Sequence, residues 1–340
     1  MNTKMQSEMA EQPQVLGRLV ERFDTIAAQV REVTADSGAV KGVAFLARGS
    51  SDNSALLGRY AIEQQTGLPT SLVAPSIVTV YGHRPELYRG WVLIALSQSG
   101  RTPEIVDIAG RYADCGASVV AVTNNSDSAL AQAAQLHVGL DAGPELAVPA
   151  TKTVTSQMLA ILAIAAGLGD GGLTADLARI PQAAAEVLSD IEPVQRLAKT
   201  LAEHRRMAVV GRGACYPAAL ESALKLQETL GVMAHGFSSA DFRHGPIAVC
   251  GPDAPAVLLA GSGPADDDTR ALRPELQARA AHVAEFGTGP DADASWTALG
   301  GMAECILATL RGQQLALATA EHLGIDPDEP TGLNKVTLTH

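Results

Sequence analysis

Positive charge is scarce in this 340-residue chain: 25 Lys and Arg stand against 37 Asp and Glu, a formal net charge of −12. With no excess of cations to displace counterions from a phosphate backbone, and no basic patch or DNA-binding helix pair, a nucleic-acid partner is not expected. Cysteine is sparse as well. Cys115, Cys215, Cys250 and Cys305 lie far apart without CxxC or metal-ligand spacing, so they read as buried thiols of a reducing compartment, with no metal and no cofactor implied. The start, Met1 to Glu11, has no apolar signal-peptide core, and the most hydrophobic stretch, Met158 to Leu168, is too short to span a bilayer. The expected location is the cytoplasm, away from membranes. An apolar content of 46% nevertheless supplies a real core, and the length suggests two domains.

What is present centres on Ser97-Gln98-Ser99-Gly100-Arg101-Thr102-Pro103-Glu104, between the apolar run Trp91 to Leu96 and the helical pattern Ile105 to Asp114. It reads as a buried strand, a hydroxyl-rich turn, and a helix with Thr102 as N-cap and Pro103 at its first position. Free amides at a helix start, together with hydroxyls and a glutamine amide, make an anion site. The turn lacks the lysine and spacing of a nucleotide P-loop, so a sugar phosphate suits it better than ATP. A well-capped turn without a ligand is the alternative.

Taken in order, the chain gives helical signals over Met5 to Val30 with a break at Pro13, and an amphipathic helix over Pro13 to Val33. The first strand, Val43 to Ala47, leads into Arg48-Gly49-Ser50-Ser51-Asp52-Asn53, where Gly49 permits a tight turn and the serines are expected to cap a helix over Ser54 to Gln65. Strands at Ser71 to Ala74, Trp91 to Leu96, Val119 to Thr123 and His137 to Leu140 alternate with helices, which predicts a parallel, doubly wound α/β sheet. Ligands of such sheets bind beyond the carboxyl ends of the strands, so both serine turns face one crevice. Thr151 to Leu168 is an almost wholly apolar helix that must be buried, and Ala175 to Arg206 is a more charged helical connection.

The pattern then repeats. Met207 to Gly211 leads to Arg212-Gly213-Ala214, which echoes Arg48-Gly49-Ser50 at an offset of 164 residues (212 less 48). Ala256 to Ala260 leads to Gly261-Ser262-Gly263, an echo of the second serine turn, followed by the acidic run Asp266-Asp267-Asp268 that disfavours phosphate. The echoes predict an internal duplication: a first domain over residues 1–187 that holds phosphate, and a second over 188–340 freed for other work.

These residues resemble the isomerase portion of glucosamine-6-phosphate synthase, two flavodoxin-like sugar-isomerase (SIS) domains in tandem. The resemblance runs through Met5-Gln6-Ser7-Glu8, Glu11-Gln12-Pro13, both serine turns, Gly143-Pro144-Glu145 and Thr151-Lys152. It continues through Ala223-Leu224-Lys225-Leu226-Gln227-Glu228, Arg243-His244-Gly245-Pro246 and Leu333-Asn334-Lys335-Val336-Thr337. With no glutaminase-like segment or cysteine nucleophile at its start, the chain is expected not to draw nitrogen from glutamine and to be similar to stand-alone deaminases and isomerases.

The resemblance places phosphate at Ser51, Ser97, Gln98, Ser99 and Thr102, beside Gly49 and Ser50. At Ala150 the family commonly has a serine. It implies proton transfer by Glu228, with Lys225 steadying oxyanion charge; the residues alone allow a solvated i, i+3 ion pair instead. It implies pyranose opening by His244, contributed to the neighbouring subunit of a homodimer, where the residue alone reads as part of a turn. Lys335 is implied to meet the opened carbonyl, by Schiff base or by polarisation, where an ordinary terminal lysine is solvated. Ala240-Asp241-Phe242-Arg243 departs from the family's Gly-Glu-Leu-Lys. The expected activity is conversion of glucosamine 6-phosphate and water to fructose 6-phosphate and ammonia, without metal or nucleotide. The alternatives are a deaminase, deglycase or isomerase of another phosphorylated hexose or hexosamine, and a non-catalytic sugar-phosphate sensor.

Overall fold

The computed structural model describes residues 3–35, 38–169, 176–279 and 281–335. Among these residues lie two five-stranded sheets, and every strand pair in them is parallel. Strands β1 (Val43–Leu46), β2 (Thr70–Leu72), β3 (Val92–Leu96), β4 (Ser118–Thr123) and β5 (Leu136–Gly139) follow the order β2-β1-β3-β4-β5. Strands β6 (Arg206–Gly211), β7 (Met233–Ser238), β8 (Ala256–Ala260), β9 (Val283–Gly287) and β10 (Ala294–Ser295) repeat it as β7-β6-β8-β9-β10. The duplication legible in the turns is therefore a duplication of sheet topology.

Composition explains which strands sit inside. Val-Ala-Phe-Leu in β1, Val-Leu-Ile-Ala-Leu in β3 and Ala-Val-Leu-Leu-Ala in β8 are buried at every position, as expected where helices cover both faces of a parallel sheet. The edge strand β7 instead alternates exposed and buried residues at its start. One core gathers Leu46, Leu93, Ile105, Ile108, Tyr112 and Val119. The other gathers Val210, Phe242, Leu258, Leu272 and Leu276.

The chain separates into two compact units that are discontinuous in sequence. The first, with the β1–β5 sheet, takes described residues 15–144 and 156–169; the second takes 3–14, 145–155 and 176–335. A single boundary between 187 and 188 does not describe this division. Both the first helix and the segment that opens the long apolar helix belong with the β6–β10 sheet.

Several element boundaries differ from the sequence expectation. The first helical region is three helices, Lys4–Ala10, Gln12–Glu21 and Phe23–Ala35. Its first interruption falls at Glu11, and Pro13 is accommodated in the opening turn of the second helix, where its missing N–H has no intrahelical role. The helix after β1 begins at Ser50, so the serines lie in its first turn rather than capping it; Gly49 is the N-cap, at a φ of 59° that favours glycine. The connection over 175–206 is divided into Ile180–Ser189 and Glu192–Leu201 after a short 3-10 turn, and β6 already begins at Arg206; residues 170–175 lie outside the described residues. Cys215, Cys250 and Cys305 are buried free thiols, but Cys115 is only partly buried. Among the described residues, no helix is long and apolar enough to cross a membrane.

The helix Lys152–Leu168 is buried through Met158–Ala166, and within the first unit it comes close to the helix Ser50–Thr66. A Cβ on Gly58 would stand 2.6 Å from the Phe45 ring and 2.9 Å from Ile161. Alanine in a helix normally gains about 1 kcal/mol over glycine, whereas overpacking a core costs about 1–3 kcal/mol. Gly58→Ala is therefore expected to lower stability in urea unfolding, and a more stable variant would show that the helices can separate freely there.

Candidate functional site

Each sheet presents a turn beyond its first and third strands, and the two turns that follow the third strands differ in what satisfies their amides. After β3, the Ser97 hydroxyl accepts from the Gly100 N–H at 3.1 Å and the Ser99 hydroxyl from the Arg101 N–H at 3.3 Å. The turn is fastened from behind: the carbonyls of Gln98 and Gly100 accept from the N–H groups of Asn124 (3.0 Å) and Leu130 (3.1 Å). Gly100 sits at a φ of 62°, and a Cβ there would run into the Ser128 side chain. Thr102 is the N-cap of the helix Pro103–Asp114 with Pro103 at its first position, yet its side chain makes no capping hydrogen bond among the described residues. The helix start thus presents amides without intrahelical acceptors next to serine, glutamine and threonine side chains. Ser51 and Ser97 are buried, while Ser50, Gln98, Ser99 and Thr102 are half-buried and Gly49 is exposed.

An ion pair joins the two turns of this unit. Arg48, just before Gly49, reaches Glu104 at 2.9 Å, and the Thr79 hydroxyl lies 3.5 Å from the same carboxylate. The second unit repeats the device: Arg212 reaches Asp268 at 2.8 Å, and Ser239 donates to that carboxylate. Both pairs span 56 residues. Asp268 also takes Arg243 at 2.7 Å, and Arg243 reaches Glu275 at 3.1 Å. The Ser239 hydroxyl first, then the two guanidiniums, hold the Asp268 carboxyl below its usual range against burial. The acidic run that looked hostile to phosphate is in part a set of structural counter-ions.

The turn after β8 is filled by carboxylates, one from the helix that follows it and one from 42 residues further along the chain. The Glu304 carboxylate accepts from the N–H groups of Ser262 (2.7 Å), Leu299 (3.1 Å) and Gly300 (2.9 Å) and from the Ser262 hydroxyl. Asp266 accepts from the Gly263 N–H at 2.8 Å, and burial raises its carboxyl above the usual range.

The helix Cys215–Leu230 carries Lys225 and Glu228. Lys225 is completely buried between two carboxylates of its own helix: Glu221, also at 0% exposure, at 3.3 Å, and Glu228, at 20% exposure, in a short contact. The pair is therefore an ion pair, but not a solvated one. Burial by itself would lower the Lys225 ammonium; the charges of Glu221 and then Glu228 outweigh it and hold the pKa above the usual lysine range. Sequence reasoning missed Glu221, although its i−4 spacing before Lys225 in an alanine- and leucine-rich helix is the signal that would have found it.

Lys335, 22% exposed, is an ion-pair partner of the buried Glu145 at 2.7 Å. Glu145 also accepts from the N–H groups of Thr151 and Thr153, both at 3.0 Å, and from the Thr153 hydroxyl at 2.7 Å. Burial would raise its carboxyl, but the Lys335 charge and these hydrogen bonds hold it below the usual range. Glu145 appeared in the sequence only as part of a landmark. His244 closes the short helix Ser239–Arg243 and is exposed, its backbone N–H donating to the Asp241 carbonyl at 3.0 Å. Ala150 is half-buried, one residue before Thr151.

Twin parallel sheets in the 2-1-3-4-5 order, one with hydroxyl-lined turns and one with a buried lysine–carboxylate helix, define a tandem flavodoxin-like α/β protein. A model of the SIS domain matches residues 40–167 and 200–287, and the chain belongs to that family. A glutamine–fructose-6-phosphate aminotransferase (isomerizing) of Methanothermobacter thermautotrophicus is 30% identical over 342 residues, covering 97% of this chain and 56% of its own length. The counterpart from Gluconobacter oxydans is 31% identical over 357 residues, covering 97% and 58%. The chain thus spans a little over half the length of these curated relatives. A crystal structure from Silicibacter pomeroyi DSS-3, of a protein provisionally designated a phosphosugar isomerase, is 30% identical with a TM-score of 0.85, over 96% of this chain and all of that one. The glucosamine-6-phosphate deaminase of Thermotoga maritima shares the fold at a TM-score of 0.82 and 22% identity, over 99% of this chain and 100% of its own.

The depressed carboxyl of Glu145 gives a pH-dependent contribution to stability. It is fully present above the ordinary value of 4.5 and is lost as pH falls through the lower folded-state value. Glu145→Gln removes that contribution, so its chemical-denaturation midpoint is expected to depend less steeply on pH on the acid side than that of the parent chain. Identical acid limbs would mean that the pair with Lys335 adds nothing to folding.

Proposed function

We propose that the chain converts a phosphorylated aldose to a ketose by proton transfer, most specifically glucosamine 6-phosphate and water to fructose 6-phosphate and ammonia. The observation that carries the reading is Glu228, a partly exposed carboxylate bonded to a wholly buried ammonium, Lys225. A carboxylate next to a fixed cation is suited to take up and return a proton while negative charge develops on an adjacent oxygen.

In the open-chain sugar, Glu228 removes the proton from C2 and the electron pair moves into a C1–C2 double bond, with the developing charge on O1 met by Lys225. Return of the proton to C1, with a second proton passing from the amine nitrogen to O1, leaves a C2 imine beside a C1 alcohol. Water adds at C2, the C–N bond breaks, and ammonia departs with fructose 6-phosphate formed. His244 is assigned the proton movement from O1 to O5 that opens the ring, delivered to the neighbouring subunit of a homodimer, and Lys335 the carbonyl oxygen. The phosphate is assigned to Ser51, Ser97, Gln98, Ser99 and Thr102, with the backbone at Gly49 and Ser50.

A second substrate in the same class is favoured by Ala150, which offers no hydroxyl to the sugar, so an isomerase or deaminase of another hexose phosphate is the runner-up. Ammonia release is the deciding assay. Glucosamine 6-phosphate is expected to yield ammonia and fructose 6-phosphate in equal amounts. In heavy water, solvent deuterium should enter at C1, and Glu228→Gln should reduce turnover by about 10²–10⁴-fold. A ketose product without ammonia across a panel of hexose phosphates selects the runner-up; tight phosphosugar binding with no turnover of any sugar selects a sensor.

Thr102→Val and Ser99→Ala test the phosphate assignment separately. Each removes a hydroxyl that binds ground state and transition state alike, so KM should rise while kcat holds. A fall in kcat at unchanged KM would move these residues out of the phosphate site.

A further inference from the structure

Lys335 is bonded to a carboxylate for which the proposed reaction has no use. Glu145 does not depend on the lysine for its place: two backbone N–H groups and the Thr153 hydroxyl fix both of its oxygens at the start of the helix Lys152–Leu168. A carboxylate there also meets the positive end of the helix dipole. Lys335 Nζ then lies 2.7 Å from Oε2.

The segment that bears Lys335 has a second fastening. The Asp328 carboxylate accepts from the N–H groups of Lys4 and Met5, each at 2.7 Å, and its carbonyl accepts from the Val148 N–H at 3.0 Å. The two structures it grips are themselves joined. Glu8 accepts from the N–H groups of Leu146 and Ala147, and Glu11 pairs with the Lys152 ammonium at 2.6 Å. Residues 328 and 335 are thus both anchored on one hydrogen-bonded frame made of the helix Lys4–Ala10 and residues 145–155.

We infer that Glu145 is the positioning residue for Lys335: it holds the ammonium at one fixed place on this frame and acts on the reaction only through that lysine. A lysine has a long, rotatable stem, and presenting its head group at one point costs side-chain entropy. A buried, pre-ordered carboxylate meets that cost through an ion pair that solvent screens far less than a surface pair. The inference rests on the role proposed for Lys335, and its test separates the two.

Glu145→Gln keeps the shape and one acceptor oxygen for the helix start but removes the charge that the lysine meets. Brief labelling of the intact chain with an amine-directed acylating reagent, read by mass spectrometry, should find Lys335 protected relative to the exposed Lys199 in the parent chain. In Glu145→Gln that protection should fall several-fold. In kinetics with glucosamine 6-phosphate, Glu145→Gln should lower kcat about tenfold or more with KM within about twofold. Lys335→Ala should do at least as much, and the double variant should be no worse than Lys335→Ala alone. Unchanged labelling overturns the inference, as does a double variant whose losses multiply. Full turnover by Lys335→Ala sinks the role of Lys335 in the reaction and leaves the labelling result to decide whether Glu145 holds it.

Discussion

A lysine ammonium with no solvent contact has one tolerable environment, a set of carboxylates close enough to replace water, and Lys225 imposes that demand on the helix Cys215–Leu230. Helical geometry supplies the answer within a single element. Residues four before and three after Lys225 lie on its own face, and both are glutamates, Glu221 and Glu228. Removing one partner of such a buried pair costs about 3–5 kcal/mol, so the three residues stand or fall together. The arrangement grades from the interior outward: Glu221 is as buried as the lysine, while Glu228 reaches the surface.

The duplicated sheets show how one architecture serves two ends. In both units an arginine before the first turn pairs with an acid near the start of a later helix, Arg48 with Glu104 and Arg212 with Asp268. That brace survives in both copies because it holds together two turns at the carboxyl ends of neighbouring strands, whatever those turns bind. The turns themselves have diverged. After β3 the amides meet neutral hydroxyls of Ser97 and Ser99; after β8 they meet the carboxylates of Glu304 and Asp266. An anion nest already holding a carboxylate has no reason to take a second anion, and that contrast supports the proposal that phosphate belongs to the β1–β5 unit.

Fold class was legible because parallel strands covered on both faces read as unbroken apolar runs, and β3 and β8 are such runs. The serine turns were legible because glycine, serine and a Thr-Pro helix start are local signals. What the sequence concealed was long-range or required burial. Nothing local to Glu145 says that Lys335, 190 residues later, will pair with it. Nor does anything near Asp328 announce that it will accept the amides of the first helix, 323 and 324 residues away. The Lys225–Glu228 spacing was visible, but i, i+3 pairs are common on solvated faces, and only burial separates the two cases. The discontinuous units were hidden for the same reason: assignment of residues 3–14 and 145–155 to the β6–β10 unit depends on hydrogen bonds that have no sequence periodicity.

The graded burial along the helix also bears on how a proton could be handled there. When a carboxylate accepts a proton from carbon it loses its charge, and a buried lysine relying on it alone would be left uncompensated at the moment its cation is needed. Glu221 eases that difficulty. It remains beside Lys225, wholly buried, while Glu228 is the partly exposed carboxylate of the two. In the proposed reaction the inner acid leaves one counter-charge at the ammonium while the outer one is neutral, which lessens the cost of losing the Glu228 charge without removing it. A surface ion pair has no need of such a third member, and its presence is the physical ground for reading this helix as a place where a proton moves.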